Sequence, residues 1–122
     1  MIGEYRFMKT EKGGTKFAKI KMDLITSDHW EIKWGCKAYK DEIEVAETGI
    51  NNAFKFLQKN GELKYTVTVF DFFTTMVDTT PDAIFCAAIL AVLDAAGIYS
   101  DQFELIKNND EWEVVFIESE LE

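Results

Sequence analysis

Apolar and polar residues alternate over the first third of the chain in the pattern of β-strands. Residues 15–24 place apolar side chains at every second position from Ala18 onward, with lysines and an aspartate between them. That period of two predicts a half-buried strand. An apolar segment at residues 5–8 comes before it across the glycine pair at 13–14, and tryptophans open and close a third alternating segment at residues 30–34. The pattern predicts three strands, the first two joined as a hairpin.

Two later segments have the three- to four-residue spacing of helices. Apolar residues recur at these steps between residues 41 and 58, which predicts an amphipathic helix. A second helix is expected to begin at Thr80, Pro81 and Asp82, where a hydroxyl caps the helix, proline costs no hydrogen bond and an acid faces the positive end of the dipole. Its apolar stripe continues to about Ala96. The breadth of the stripe indicates packing against a sheet.

Three further alternating segments, at residues 63–69, 103–106 and 112–116, predict the remaining strands. The first of these is expected to continue toward Phe73, and a turn rich in asparagine separates the other two. The order is β-β-β-α-β-α-β-β in a single domain of residues 1–122, with a C-terminal hairpin within residues 97–122. We therefore expect an α+β fold in which one mixed sheet carries two helices packed on one face.

Composition and charge narrow the classes of function. At 122 residues and 48% hydrophobic content the chain can bury one core. Its formal net charge of −9 opposes phosphate backbones, so binding of free nucleic acid is not expected. No secretory signal or membrane-spanning apolar run is visible, which predicts a cytoplasmic protein with no membrane partner. Cys36 and Cys86 match neither redox nor zinc spacing, and Cys86 is expected in the core.

Three short motifs resemble the fourth domain of translation elongation factor G, which also occurs in the tetracycline-resistance ribosomal protection proteins. GGTKFAKI at residues 13–20 is similar to the glycine-rich turn and strand that open that domain. VAETGINNA at residues 45–53 looks like its first helix, and VDTT at residues 77–80 looks like the segment before its second helix. The matches are collinear over residues 4–96, so the chain resembles a stand-alone copy of that domain.

The resemblance implies both a fold and a mode of action. The fold is that of domain 2 of ribosomal protein S5, with an unusual left-handed β-α-β crossover, and the family's domain reaches the ribosomal decoding region through its loop tips. Thr75 stands where the family often carries a histidine. The glycine pair lacks the GxxxxGK[ST] spacing of a phosphate-binding loop, so a GTPase activity is not expected.

The resemblance also suggests which residues bind a partner. These are Gly13, Gly14, Phe72, Phe73, Thr75 and Met76. Two interpretations remain for the apolar members at 72, 73 and 76: they are exposed anchors of an interface, or a continuing strand buries alternate residues in the core.

Few residues offer catalytic chemistry. His29 is the single histidine and is expected to be a turn residue rather than a metal ligand. Four acids gather at the start of the first helix, where they either complement the helix dipole or bind a cation: Asp41, Glu42, Glu44 and Glu47. Because the sequence has no nucleophile, metal or cofactor motif, we expect a protein that is not an enzyme and needs no cofactor.

Three hypotheses of function follow. The first is a non-catalytic binding module that acts on the ribosome or another protein. The second is a small acidic inhibitor or immunity-type protein that covers a basic partner with the carboxylates from Asp101 to Glu122. The third is an enzyme that uses the acids of the first helix. A monomer or weak homodimer is expected, since Glu118, Glu120 and Glu122 follow an apolar strand and oppose edge pairing.

Overall fold

The computed structural model describes residues 1–98 and 100–117 of the chain. The strands and helices follow in the order predicted from the sequence, and the α+β class is confirmed. They are β1 (Ile2–Glu11), β2 (Gly14–Ser27), β3 (Glu31–Trp34), α1 (Lys40–Lys59), β4 (Lys64–Phe73), α2 (Pro81–Ala95), a short 3-10 turn (Ser100–Gln102), β5 (Phe103–Asn108) and β6 (Glu111–Phe116).

Four strands form the expected mixed sheet, in the order β1-β2-β4-β3. The pairs β1–β2 and β2–β4 are antiparallel, whereas β3 runs parallel to β4 and is joined to it through α1. The structure therefore contains a β-α-β crossover between neighbouring strands. The strands β5 and β6 pair only with each other, in a separate two-stranded sheet. The single sheet expected from the sequence thus holds the first four strands, and the C-terminal hairpin stands apart from it.

Helix α2 explains why the hairpin forms its own sheet. Eleven of the 15 residues of α2 are buried, so this helix is apolar on nearly all sides and needs cover on more than one. The four-stranded sheet covers one side and α1 another, and β6 packs on α2 as well. Close packing of the two helices depends on Gly49, where a Cβ would lie 2.7 Å from the carbonyl oxygen of Phe85. A hairpin that extended the sheet would leave part of α2 in water.

The start of α2 differs in one detail from the prediction. Pro81 occupies the first helical turn as expected, but Thr80 makes no capping hydrogen bond to a helix N–H. Its hydroxyl instead donates to the Asp82 carboxylate at 2.5 Å. The Asp82 carboxylate is a shared acceptor. It also accepts hydrogen bonds from Lys16 Nζ and from the backbone N–H of Trp112, both at 2.8 Å. The helix start is therefore built around a carboxylate that binds β2 and β6 together.

Aromatic contacts complete the docking of the hairpin. The Trp112 indole packs edge-on against Phe7 with 6.0 Å between ring centroids, and its Nε1 donates to Glu11 at 2.6 Å. At the other end of β6, Phe116 stacks on Phe56 of α1 at 4.4 Å.

The carboxylates at 118, 120 and 122, which the sequence analysis expected to oppose pairing of the edge strand, lie outside the described residues. Within the described part of the chain, no helix combines the length and the apolar character needed to cross a bilayer.

Candidate functional site

Loops from distant parts of the sequence meet at one end of the molecule, which we call the loop end. It consists of residues 12–13, 35–39, 74–80 and 109–110. The parallel pairing of β3 with β4 brings the loops that follow these strands to the same end, and the antiparallel partner β2 begins there. A hydrogen bond from Phe17 N in β2 to the carbonyl of Asp78, at 2.9 Å, ties the loop at residues 74–80 to the sheet.

The loop at residues 74–80 is braced from within. Thr75 N donates to Thr79 Oγ1 at 2.7 Å, and Asp78 N donates to Thr75 Oγ1 at 3.0 Å. The Thr79 hydroxyl in turn donates to the carbonyl of Phe17 in β2 at 2.8 Å. Two threonine hydroxyls thus replace the backbone partners that a regular element would supply. The loop is held in one shape and tied to the sheet.

This braced loop presents apolar side chains to water. Met76 is 99% exposed and Val77 is 90% exposed. Tyr39, in the neighbouring loop before α1, is 72% exposed. Isolated apolar residues on a surface are common, but Met76 and Val77 are neighbours on one loop and together form a small apolar surface at the loop end.

The six residues that the sequence suggested for partner binding do not all lie at this surface. Gly13 and Gly14 are exposed in the β1–β2 turn, and Gly14 has φ +136, a conformation suited to glycine. Met76 lies at the tip of its loop, whereas Thr75 is half-buried and shapes the loop rather than facing outward. Three of these four residues are therefore accessible to a partner at the loop end.

The two phenylalanines separate to opposite faces of the sheet. Phe72 is half-buried and packs edge-on against Trp34 at 5.6 Å, on the side of the core. Phe73 is 58% exposed and packs against Phe17 at 6.1 Å on the other side. Neither Val77 nor Tyr39 was among the six residues suggested for partner binding. Val77 was detectable as part of the same apolar loop, but no pattern distinguishes Tyr39 from a buried tyrosine.

Two of the four acids at the start of α1 accept hydrogen bonds from other parts of the fold. Glu42 Oε1 accepts a hydrogen bond from Thr74 Oγ1 at 3.1 Å, and Glu47 Oε2 accepts one from Trp34 Nε1 at 2.8 Å. These bonds tie the helix to the loop end and to β3. Among the described residues, no group of three or more histidine, cysteine or acidic side chains is arranged to hold a metal ion.

The single histidine and the two cysteines have ordinary structural explanations. His29 lies exposed in the bend before β3, and hydrogen bonds to Asp28 and Glu31, at 2.6 and 2.7 Å, raise its pKa. Cys86 is fully buried as expected, and that burial raises its pKa to about 12. Cys36 is half-buried, and neither cysteine forms a disulfide. A thiol that stays protonated is a poor nucleophile, so Cys86 belongs to the core.

Comparison with known proteins reveals a likeness of fold. Neither the protein-family models nor the curated proteins match the chain. Among solved structures, a protein of Thermus thermophilus designated ttk003000868 is similar, with a TM-score of 0.62 and 16% identity. The likeness covers 93% of this chain and 23% of that one, so the chain spans less than a quarter of the Thermus protein.

Proposed function

We propose that this chain is a non-catalytic binding module that contacts its partner through the loop end, and that the partner is the ribosome or a protein associated with translation. The observation that carries the proposal is the braced loop at 74–80, which holds Met76 and Val77 almost completely in water. Exposed apolar side chains that lie next to each other are a feature of protein interaction sites.

The bracing of the loop supports binding rather than chance exposure. A flexible loop pays conformational entropy when a partner orders it, whereas a loop already held by its own hydrogen bonds pays less. The bonds through Thr75 and Thr79 fix the loop before any partner arrives. Rigid scaffolds that carry exposed loop residues are a common arrangement in binding proteins.

The class of partner follows from the resemblance to the fourth domain of elongation factor G. In that family the loop tips reach the decoding region of the ribosome. The glycine-rich turn at 13–14 and the loop at 74–80, which carry two of the three matching motifs, lie together at the loop end of this chain. The fold shared with the Thermus protein is compatible with this interpretation and says nothing about the partner.

Co-sedimentation with purified ribosomes tests the proposal. The double variant Met76→Ser, Val77→Ser should bind at least about tenfold more weakly, because burial of one aliphatic side chain contributes roughly 1.5–3 kcal/mol. Leu63→Ser is the matched control, since Leu63 is 58% exposed at the opposite end of β4. The control should bind like the parent. Failure of the parent chain to pellet with ribosomes above background would refute the ribosomal partner, and equal binding by the double variant would refute the loop end as the site.

An acidic module that covers a basic protein is the second candidate, favoured by the charge of the hairpin. Asp101, Glu104 and Glu111 are exposed there, and the single base of the described hairpin, Lys107, is already paired with Glu11 at 3.2 Å. Charge reversal by Glu104→Lys and Glu111→Lys would abolish capture of a basic partner and leave ribosome binding unchanged. If the reversed variant still captured the same basic protein, this second candidate would be wrong.

A further inference from the structure

The four-stranded sheet has an open face on the side away from the helices, which we call the outer face. Its aromatic and basic side chains come from all four strands. They are Arg6 of β1, Phe17, Lys19 and Lys21 of β2, Lys33 of β3, and Phe70 and Phe73 of β4. No described residue outside the sheet stacks on these rings, and the hairpin packs on the opposite side of the molecule.

A β-bulge decides which phenylalanines of β4 lie on this face. Met22 pairs with Val69, but the preceding residue Lys21 pairs with Asp71, so Phe70 is an extra residue in β4. Strict alternation would point residues 70 and 72 outward and Phe73 into the core. The extra residue reverses the alternation beyond it, so Phe70 and Phe73 both face outward, with 39% and 58% of their surface exposed.

Cations lie among these rings. The Arg6 guanidinium is 5.8 Å from the centroid of the Phe17 ring, and Lys21 Nζ is 5.7 Å from that of Phe70. Phe17 and Phe73 meet edge-on, so these two rings form one apolar patch on the face. Such cation–ring contacts are weak at an exposed site, and the cations stay available to an anion.

Salt bridges on the outer face engage only some of its charged side chains. Glu4 is paired with Lys19 at 3.2 Å, and Asp23 with the amino terminus at 2.9 Å. In the described part of the chain, Arg6, Lys21 and Lys33 have no carboxylate within salt-bridge distance. Asp71, the register partner of Lys21, and Glu31, paired with the exposed His29, are the remaining acids. The face therefore combines exposed rings with three cations that make no salt bridge, while Asp71 and Glu31 offset part of their charge.

We propose that the outer face binds single-stranded nucleic acid, with bases stacked on Phe70 and Phe73 and phosphates bound by Arg6, Lys21 and Lys33. Aromatic platforms flanked by cations bind single strands in this manner because every base offers a ring to stack and every linkage a negative charge. The expectation from the net charge of −9 concerns the chain as a whole. Contacts at the sheet depend on charges within about 10 Å, the screening length at moderate salt.

Fluorescence anisotropy with a labelled oligouridine of about ten nucleotides tests this proposal. The same measurement with an oligothymidine of equal length shows whether RNA or DNA is preferred. Phe70→Leu and Phe73→Leu keep the apolar bulk but lose the ring for stacking, so each should weaken binding about tenfold. Lys21→Gln should reduce the slope of log affinity against log salt by about 0.7. Val115→Ala, at a hairpin residue that is also 39% exposed, is the control and should bind like the parent.

Two results would overturn the proposal. One is the absence of oligonucleotide binding at low salt by a parent chain that has its normal circular dichroism. The other is a change in sedimentation coefficient of the leucine variants with unchanged oligonucleotide binding, which would mean that a second copy of the chain covers the face. The Met76→Ser, Val77→Ser variant should bind oligonucleotide normally, so the outer face and the loop end can fail independently.

Discussion

Replacing Asp82 by alanine should loosen the attachment of the C-terminal hairpin, because this carboxylate joins three parts of the fold. It accepts hydrogen bonds from Lys16 in β2, from Thr80 before α2 and from the backbone of Trp112 in β6. The side chain of Asp82 is 8% exposed and that of Lys16 is 18% exposed. Alanine would leave the Trp112 N–H without this acceptor, while Lys16 keeps the carbonyl of Asp110.

The cost can be worked out from these contacts. Removing one partner of a buried ion pair costs about 3–5 kcal/mol, and an unsatisfied buried N–H costs about 1–3 kcal/mol. Because Lys16 retains a second acceptor and is partly solvated, the lower end applies, and Asp82→Ala should lower the free energy of unfolding by about 3 kcal/mol. Asp82→Asn still offers an acceptor to Trp112 and should cost about half as much, roughly 1.5 kcal/mol.

Urea unfolding followed by tryptophan fluorescence measures these losses. A double-mutant cycle with Lys16→Met should give a coupling energy of about 1–2 kcal/mol between the two side chains.

The pKa of Asp82 is set by opposing effects. Burial raises it, but hydrogen bonds from Lys16, Thr80 and the Trp112 backbone outweigh burial and lower it. A carboxyl with a lowered folded-state pKa stabilises the protein above its unfolded pKa, and this contribution is lost as pH falls through the folded pKa.

The free energies of unfolding of the parent and of Asp82→Ala, measured as a function of pH, should therefore converge as the pH falls below about 4. A loss under about 1 kcal/mol for Asp82→Ala at neutral pH, or a coupling energy near zero, would contradict the central role of this carboxylate.

Three further results are expected. Gly49→Ala should destabilise the fold by about 2 kcal/mol or more in the same urea assay, because the added Cβ would lie 2.7 Å from the Phe85 carbonyl oxygen; an unchanged midpoint would refute the close helix packing. The single histidine should titrate in proton NMR with a pKa above the ordinary value of 6.5, and Asp28→Asn should lower it, since the hydrogen bond to Asp28 is the largest cause of the rise. Because the folded-state pKa of His29 is raised, its stabilising effect should be complete below the unfolded pKa and fade as pH rises through the folded pKa. Cys86 should resist a thiol reagent at pH 8 in the folded chain and react on unfolding, and rapid native labelling would show that its burial is wrong.

The sequence alone determined the order and type of the secondary structure, because the signals for these are local. The alternation in β2, the helical spacing of α1 and the start of α2 at Pro81 each depend on residues within a few positions of one another. The turn between β5 and β6 was also readable, and Asn109 and Asp110 adopt the positive φ values that such turns require. Burial of Cys86 followed from its apolar neighbours.

The tertiary structure decided which of these residues share a surface. The bulge that turns Phe72 inward and Phe73 outward depends on the pairing of β4 with β2, some fifty residues earlier in the chain. The separate hairpin depends on the need of α2 for cover on several sides, and the loop end depends on parallel pairing of β3 with β4. Both candidate binding surfaces therefore arise from long-range contacts, and a local pattern cannot specify the face of a sheet once an extra residue has shifted its register.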